Sequence, residues 1–132
     1  MFSNIKILRK TFQPAAVGSD ETKALFSVKK GERVLWASAM PEIAAAGSTD
    51  TTMTLGDGAD TDGFITAIDL EAMTAGTPVA HTAAGAFFNS SGGKIYTVDD
   101  TIDVVYAGTT YGATNPKVTF MVAIVRDFPG SY

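Results

Sequence analysis

The stretch DTTMTLGDGADTDGFITAIDL, residues 50–70, constrains the fold more than any other part of the sequence. Its first part alternates polar and apolar residues, so that in a strand Met53 and Leu55 lie on one face and threonines on the other. Residues 56–63 break this alternation with three glycines and three aspartates, residue types that readily reverse a chain. Residues 64–68 then resume an extended, mostly apolar run. The pattern predicts a β-hairpin with an acidic turn.

The rest of the chain consists of further short runs of the same kind, separated by turn residues. No helix longer than two turns is expected. Strands that are apolar on one face bury it by packing two sheets together. The sequence therefore predicts an all-β fold, a single-domain antiparallel β-sandwich over residues 1–132, and about eight strands suit a jelly roll. The expected strands cover residues 4–11, 23–30, 33–40, 52–55, 64–68, 94–98, 101–107 and 117–125.

Three of these segments carry more detailed expectations. Ile5 and Ile7 share one face of the first strand and Lys6 lies on the other, which indicates one wetter face. The polar turn at residues 29–32 is of a kind that joins two strands in a hairpin. Residues 117–125 are nearly all apolar or β-branched on both faces, as in a strand that is covered from both sides.

Composition excludes several classes of function. The absence of cysteine excludes a disulfide framework, a thiolate nucleophile and a cysteine-ligated zinc site, and a single histidine excludes a multi-histidine metal site. Ten Lys and Arg against fourteen Asp and Glu give a net charge of −4, so no nucleic acid and no membrane is expected as a partner. No signal peptide and no apolar run of membrane-spanning length is recognisable, so we expect synthesis as a soluble cytoplasmic chain.

The acidic turn is the one constellation with metal-ligand chemistry. If Gly63 takes the glycine position of a calcium loop, Asp60 and Asp62 fall on the third and fifth ligand positions. Asp69 then falls on the twelfth position, where a longer glutamate is usual. The first position holds Gly58, which has no carboxylate. A calcium site at these three aspartates and a solvated hairpin turn are therefore the two interpretations, and no cofactor is predicted.

No catalytic group is predicted. His81 lies among alanines and threonines without a neighbouring carboxylate, and no G-x-S-x-G-like nucleophile elbow is present. We therefore expect that the chain is not an enzyme.

Aromatic residues raise the separate possibility of a sugar-stacking platform. Trp36 alternates with Val34 on an expected core strand, which favours burial of the tryptophan instead. The other members of such a platform would be Tyr96, Tyr106 and Tyr111.

Several segments together resemble the jelly-roll decoration, or cement, proteins of the heads of tailed bacteriophages. The most specific is the hairpin sequence T-x-T-L-G-D-G-x-D-x-D-G-F. The others are KKGERVLWASAMPEI, GAFF, KIYTVDDTIDVVYAG and VTFMVAIVRDF. These segments mark strands and turns, so the resemblance transfers no individual binding residues.

The resemblance implies a virion protein that forms a homotrimer on the head exterior and holds neighbouring major capsid protein subunits together. Threefold repetition of one contact patch would add avidity to weak contacts. The ends of the chain, residues 1–12 and 127–132, are expected to reach partners outside their own sandwich. The alternative is a carbohydrate-binding module of a phage head or tail fibre that contacts the host surface. Such a module needs exposed aromatic side chains and would use calcium at Asp60 and Asp62.

Overall fold

The computed structural model describes residues 5–15, 18–78, 85–89, 92–112 and 114–126. Within these residues it contains eight strands, which correspond to the eight expected ones, and one single-turn helix. The strands are β1 (Ile5–Phe12), β2 (Glu21–Val28), β3 (Glu32–Ile43), β4 (Thr52–Gly56), β5 (Ile65–Asp69), β6 (Lys94–Ile95), β7 (Asp100–Ala107) and β8 (Lys117–Arg126), and the helix α1 is Ala86–Asn89.

Two four-stranded antiparallel sheets make up a sandwich. Sheet 1 has the strand order β1-β8-β3-β6, and sheet 2 has the order β2-β7-β4-β5. The pairs β4 with β5, β3 with β6, β2 with β7 and β1 with β8 are nested about the middle of the chain. This is the strand order of a jelly roll, with the predicted β4–β5 hairpin at its centre. The predicted fold class is confirmed.

The turn between β2 and β3 does not form the hairpin that its sequence suggests. β2 belongs to sheet 2 and β3 to sheet 1, so residues 29–32 carry the chain from one sheet to the other. Instead, β3 pairs with β8 of sheet 1 from Glu32 to Ile43, whereas β2 pairs with β7 of sheet 2, so the long-range partners of the two strands separate them. The buried Glu32 holds this crossing, because its carboxylate accepts a hydrogen bond of 2.7 Å from the backbone of Lys29 and pairs with Lys6 at 2.8 Å.

The core lies between the inner faces of the two sheets. Alternate residues of each strand point into it, and each fully buried side chain contributes about 1.5–3 kcal/mol through loss of contact with water. At one end, the ring of Phe64 packs 4.9 Å from that of Phe87 on α1. The largest side chains of the core with less than 2% exposure include Val34, Phe120 and Ile124 from sheet 1 and Met53, Leu55, Ile102 and Val104 from sheet 2.

Candidate interaction surface

The acidic turn is closed by one buried carboxylate, that of Asp57. Its side chain accepts hydrogen bonds from the backbone of Ala59 at 3.0 Å and of Asp60 at 3.1 Å, which is the local folding back expected of a turn aspartate. It also accepts a hydrogen bond of 2.7 Å from the Tyr96 hydroxyl and forms an ion pair with Lys94. With four donors around it, this carboxylate is fully satisfied and ties the central hairpin to β6 and the residue that follows it.

The protonation states follow from these contacts. Burial by itself raises the pKa of Asp57, but the hydrogen bonds from Lys94 and Tyr96 outweigh this effect and hold the pKa below its ordinary value. Burial and the adjacent Asp57 carboxylate raise the pKa of Tyr96 above its usual range. Asp57 is therefore an ionised acceptor and Tyr96 a neutral donor, an arrangement suited to holding a turn in place.

The three aspartates of the calcium hypothesis lie in two separate parts of the structure. Asp60 and Asp62 lie together in the turn, where a hydrogen bond between their side chains raises the pKa of Asp62. Asp69 lies at the far end of β5, opposite Thr52, and its carboxylate accepts hydrogen bonds from the backbone of Glu71 and of Ala72, both at 3.1 Å. In the described part of the chain, no group of three metal-binding side chains is arranged to hold an ion. Calcium binding stays a prediction, with Asp60 and Asp62 as its neighbouring carboxylates.

The expected burial of Trp36 is wrong. Val34 lies opposite Ile124 of β8, whereas Trp36 lies opposite the next residue of β8, Ala123, so that Leu35 is an extra residue in β3. Such a β-bulge reverses which face the following side chains take. Val34 is fully buried in the core, while the side chain of Trp36 lies on the outer face and is 39% exposed.

The other aromatic residues do not join Trp36 in a platform. Tyr96 and Tyr106 are both buried. Tyr111 is partly buried, packs its ring 5.5 Å from that of Tyr106 and donates a hydrogen bond to Asp20. His81, the one residue considered for catalysis, lies outside the described residues.

The face of β1 that carries Ile5 and Ile7 was expected to be the less solvent-exposed one, but it is exposed. The side chain of Ile5 is 61% exposed and that of Ile7 is 57% exposed. Phe12, at the other end of the strand, is buried in the core. Because side chains alternate between the two faces of a strand, residues at odd positions, including Ile5 and Ile7, then point outward. Leu8 shares this inward orientation with Phe12, whereas Ile5 and Ile7 take the opposite one. The shared parity of Leu8 and Phe12 was visible in the sequence and could have indicated this orientation.

Exposed apolar side chains gather on the outer face of sheet 1. In one cross-strand row, Ile7 and Trp36 flank Ala123 of the central strand. In the next row, Ile5 and Ile95 lie at the two edges. We call Ile5, Ile7, Trp36 and Ile95 the apolar face; each of the four is at least 39% exposed. Several exposed apolar side chains on one face, here with Arg33 between Val125 and Ile95, mark an interaction site more often than scattered single residues do.

Comparison with known proteins adds two solved structures with the same fold. One is a chain of the cyanophage Pam1 capsid asymmetric unit, with a TM-score of 0.70 and 11% identity, covering 95% of this chain and 86% of that one. The other is a chain of the acidic stable capsid structure of Helicobacter pylori bacteriophage KHP30, with a TM-score of 0.64 and 11% identity, covering 94% and 93%. Both chains come from phage capsids. At this identity, the similarity shows that the fold is shared.

Comparison of the sequence with protein families and curated proteins finds no related protein. No protein-family model matches the chain, and no curated protein matches it. Among the residues that the structure describes, no helix has both the length and the apolar character needed to cross a membrane.

Proposed function

We propose that this chain is a structural protein of a phage virion, a decoration protein that binds the outside of the head and stabilises contacts between major capsid subunits. The observation that carries the proposal is the jelly roll shared over nearly the whole chain with two chains from phage capsids. The apolar face supports it, because a protein that works by contact needs exposed surface to bury against its partners.

The function rests on contact area rather than on chemistry. The buried carboxylate of the acidic turn, Asp57, is occupied in closing that turn, and we infer a protein without enzymatic activity. A trimer would present the same patch three times to the head, and simultaneous engagement converts weak single contacts into firm binding.

The described part of the N-terminal segment is well placed for such contacts. Residues 1–12 include Ile5 and Ile7 of the apolar face on the edge strand β1. Residues 127–132 lie outside the described part of the chain, and their role as a partner-contacting segment stays a prediction.

The proposal is tested by rebinding. The purified protein is expected to sediment as a trimer and to bind phage heads from which it has been removed, restoring their resistance to heating. A matched sample of heads incubated with a jelly-roll protein of similar size and net charge provides the control. Failure to bind bare heads, whatever the solution mass, would contradict the decoration function.

One observation favours the second candidate, a carbohydrate-binding module. Trp36 is exposed, as a sugar-stacking residue would be. Under this alternative, the folded Trp36→Ala variant loses binding to host-surface glycan, whereas under the decoration function the wild-type protein shows no glycan binding to lose.

A further inference from the structure

We propose that an extended segment of a capsid subunit pairs with the free edge of β1 and adds a strand to sheet 1. The segment carries carboxylates at one end and apolar side chains at the other. This inference rests on the proposed function, and it names the part of the molecule that meets the head and the kind of segment that it meets. Three observations carry it: the regularity of this edge, its free backbone groups and its side chains.

The described strands leave four edges, which differ in how well they accept a further strand. The edges are β1 and β6 in sheet 1 and β2 and β5 in sheet 2. β6 has two residues and β5 has five, and an irregularity interrupts the pairing of both β2 and β5 with their neighbours. Short strands and bulges prevent an edge from pairing with another chain. β1 has neither feature, because its eight residues pair with β8 one to one from Ile5 to Phe12.

The backbone of β1 has hydrogen-bonding groups to offer to such a strand. In an antiparallel pair, every second residue directs its N–H and C=O toward the neighbouring strand, and the residues between direct theirs away from it. Within the described part of the chain, β8 is the one strand beside β1, and no backbone hydrogen bond joins residues 5–12 to another segment. An added strand would satisfy the groups that point away, which is how extended peptides bind at a sheet edge.

The side chains of β1 specify what the added strand carries. Apolar residues occupy its first half, where Ile5 and Ile7 are exposed on the outer face and Leu8 is half-buried on the other. Arg9 and Lys10 follow, both exposed, and neither forms an ion pair with a described carboxylate. The complementary strand therefore has apolar side chains opposite residues 5–8 and carboxylates opposite residues 9 and 10.

The charge of β1 disfavours a second copy of the same chain as the occupant of this edge. The strand contains Lys6, Arg9 and Lys10 but no carboxylate. Lys6 is paired with Glu32 of its own chain at 2.8 Å, which leaves Arg9 and Lys10 for a neighbouring strand. Twofold pairing of β1 with its equivalent would bring these cations of two copies together without any opposite charge. A segment with carboxylates pairs opposite charges instead, and a capsid subunit is the partner that the proposed function provides.

A strand added beside β1 also extends the apolar face. Its outward side chains would lie next to Ile5 and Ile7, at the edge of sheet 1 opposite the one that carries Ile95. Backbone pairing then provides affinity, and the side chains beside it select the segment that binds.

Hydrogen exchange of the bound protein tests the backbone pairing. Wild-type protein, free or bound to bare heads, is transferred to deuterated buffer, and exchange is followed by mass spectrometry of its peptides. The amides of residues 5–12 that point away from β8 are expected to exchange about tenfold or more slowly in the bound protein. Residues 21–28, which form the other eight-residue edge strand, β2, are the matched control and are expected to exchange at the same rate in both samples.

Two charge reversals test the side-chain part of the recognition. Arg9→Glu and Lys10→Glu each place a carboxylate where the partner's carboxylates are expected, so each is expected to weaken binding to bare heads by about tenfold or more. Lys23→Glu makes the same change at an exposed residue of β2 and is expected to bind like the wild type. Unchanged unfolding midpoints confirm that the variants are folded. Wild-type affinity in both Arg9→Glu and Lys10→Glu would overturn the proposed charge complementarity.

The outcomes separate this inference from the proposed function. Binding to bare heads without added protection of residues 5–12 overturns the strand addition and leaves the decoration function supported. Absence of binding overturns both. Protection of residues 5–12 that appears in the free protein as its concentration rises places a second copy at this edge, which overturns the capsid segment as the occupant. Protection that requires heads, together with weakened binding of both charge variants, supports the inference.

Discussion

Tyr96 donates a hydrogen bond of 2.7 Å to the carboxylate of Asp57, and this contact joins the central hairpin to the chain just after β6. Both groups are buried, and 39 residues separate them in the sequence. The carboxylate also pairs with Lys94, whose ammonium lies 4.3 Å from the centre of the Phe87 ring. Three segments, the central hairpin, α1 and residues 94–96, thus meet around one ionised group, so we expect the fold to be sensitive to substitution of Asp57.

Replacing Asp57 by asparagine is expected to lower the free energy of unfolding by about 3 kcal/mol, because it breaks a buried ion pair and leaves hydrogen-bond donors poorly matched. Tyr96→Phe removes one of these donors and is expected to cost about 1–2 kcal/mol. Urea unfolding followed by circular dichroism measures both. Asp60→Asn, in the same turn but less buried, serves as the control, and an equal loss in that variant would contradict the role assigned to Asp57.

Stability is expected to fall in acid through the same carboxylate. The pKa of Asp57 in the folded chain lies below its ordinary value, whereas in the unfolded chain it is about 3.9. The unfolded state therefore binds the proton more readily, so the stabilisation is fully present above pH 4 to 5 and is lost as the pH falls through the lower, folded pKa. Unfolding free energies measured from pH 7 to pH 3 are expected to decline less steeply in Asp57→Asn than in the wild type.

The glycines of the acidic turn provide a matched pair of substitutions. A Cβ added at Gly56 would lie 2.1 Å from the carbonyl oxygen of Asp60, a backbone atom that cannot move away without opening the turn. Gly56→Ala is therefore expected to destabilise the fold by about 3 kcal/mol or more. A Cβ at Gly58 would meet nothing within 4 Å, so Gly58→Ala is expected to be neutral or to stabilise by about 0.5 kcal/mol. Thermal unfolding of the two variants distinguishes them, and similar midpoints would contradict the geometry of the turn.

Trp36 provides an optical probe of the apolar face, since it is the one tryptophan of the chain. Because its side chain is partly exposed on the outer face, we expect solvent-exposed emission and ready quenching by acrylamide at dilutions where the protein is monomeric. Association over this face is expected to shift the emission to shorter wavelength and to protect it from the quencher. Trp36→Thr is expected to change the free energy of unfolding by less than about 1 kcal/mol, whereas a large loss would indicate a core residue.

Local patterns in the sequence were sufficient to locate all eight strands and the central hairpin, and the two-sheet sandwich followed from strands with one apolar face. Alternation is a short-range property, and the turn residues at 56–63 restrict the backbone by their own chemistry. The fold-back of Asp57 onto its own turn was likewise predictable, since the hydrogen bonds to Ala59 and Asp60 span only two and three residues.

The tertiary structure decided which sheet each strand joins and which face each side chain takes. The turn at 29–32 resembles the turn of a hairpin, yet β3 pairs with β8 of sheet 1 while β2 pairs with β7 of sheet 2. One extra residue at Leu35 turns Trp36 outward, and burial of Phe12 exposes Ile5 and Ile7. The sheet that β3 joins and the face that Trp36 takes depend on partners more than 70 residues away in sequence, because both are set by pairing with β8, which no local pattern encodes.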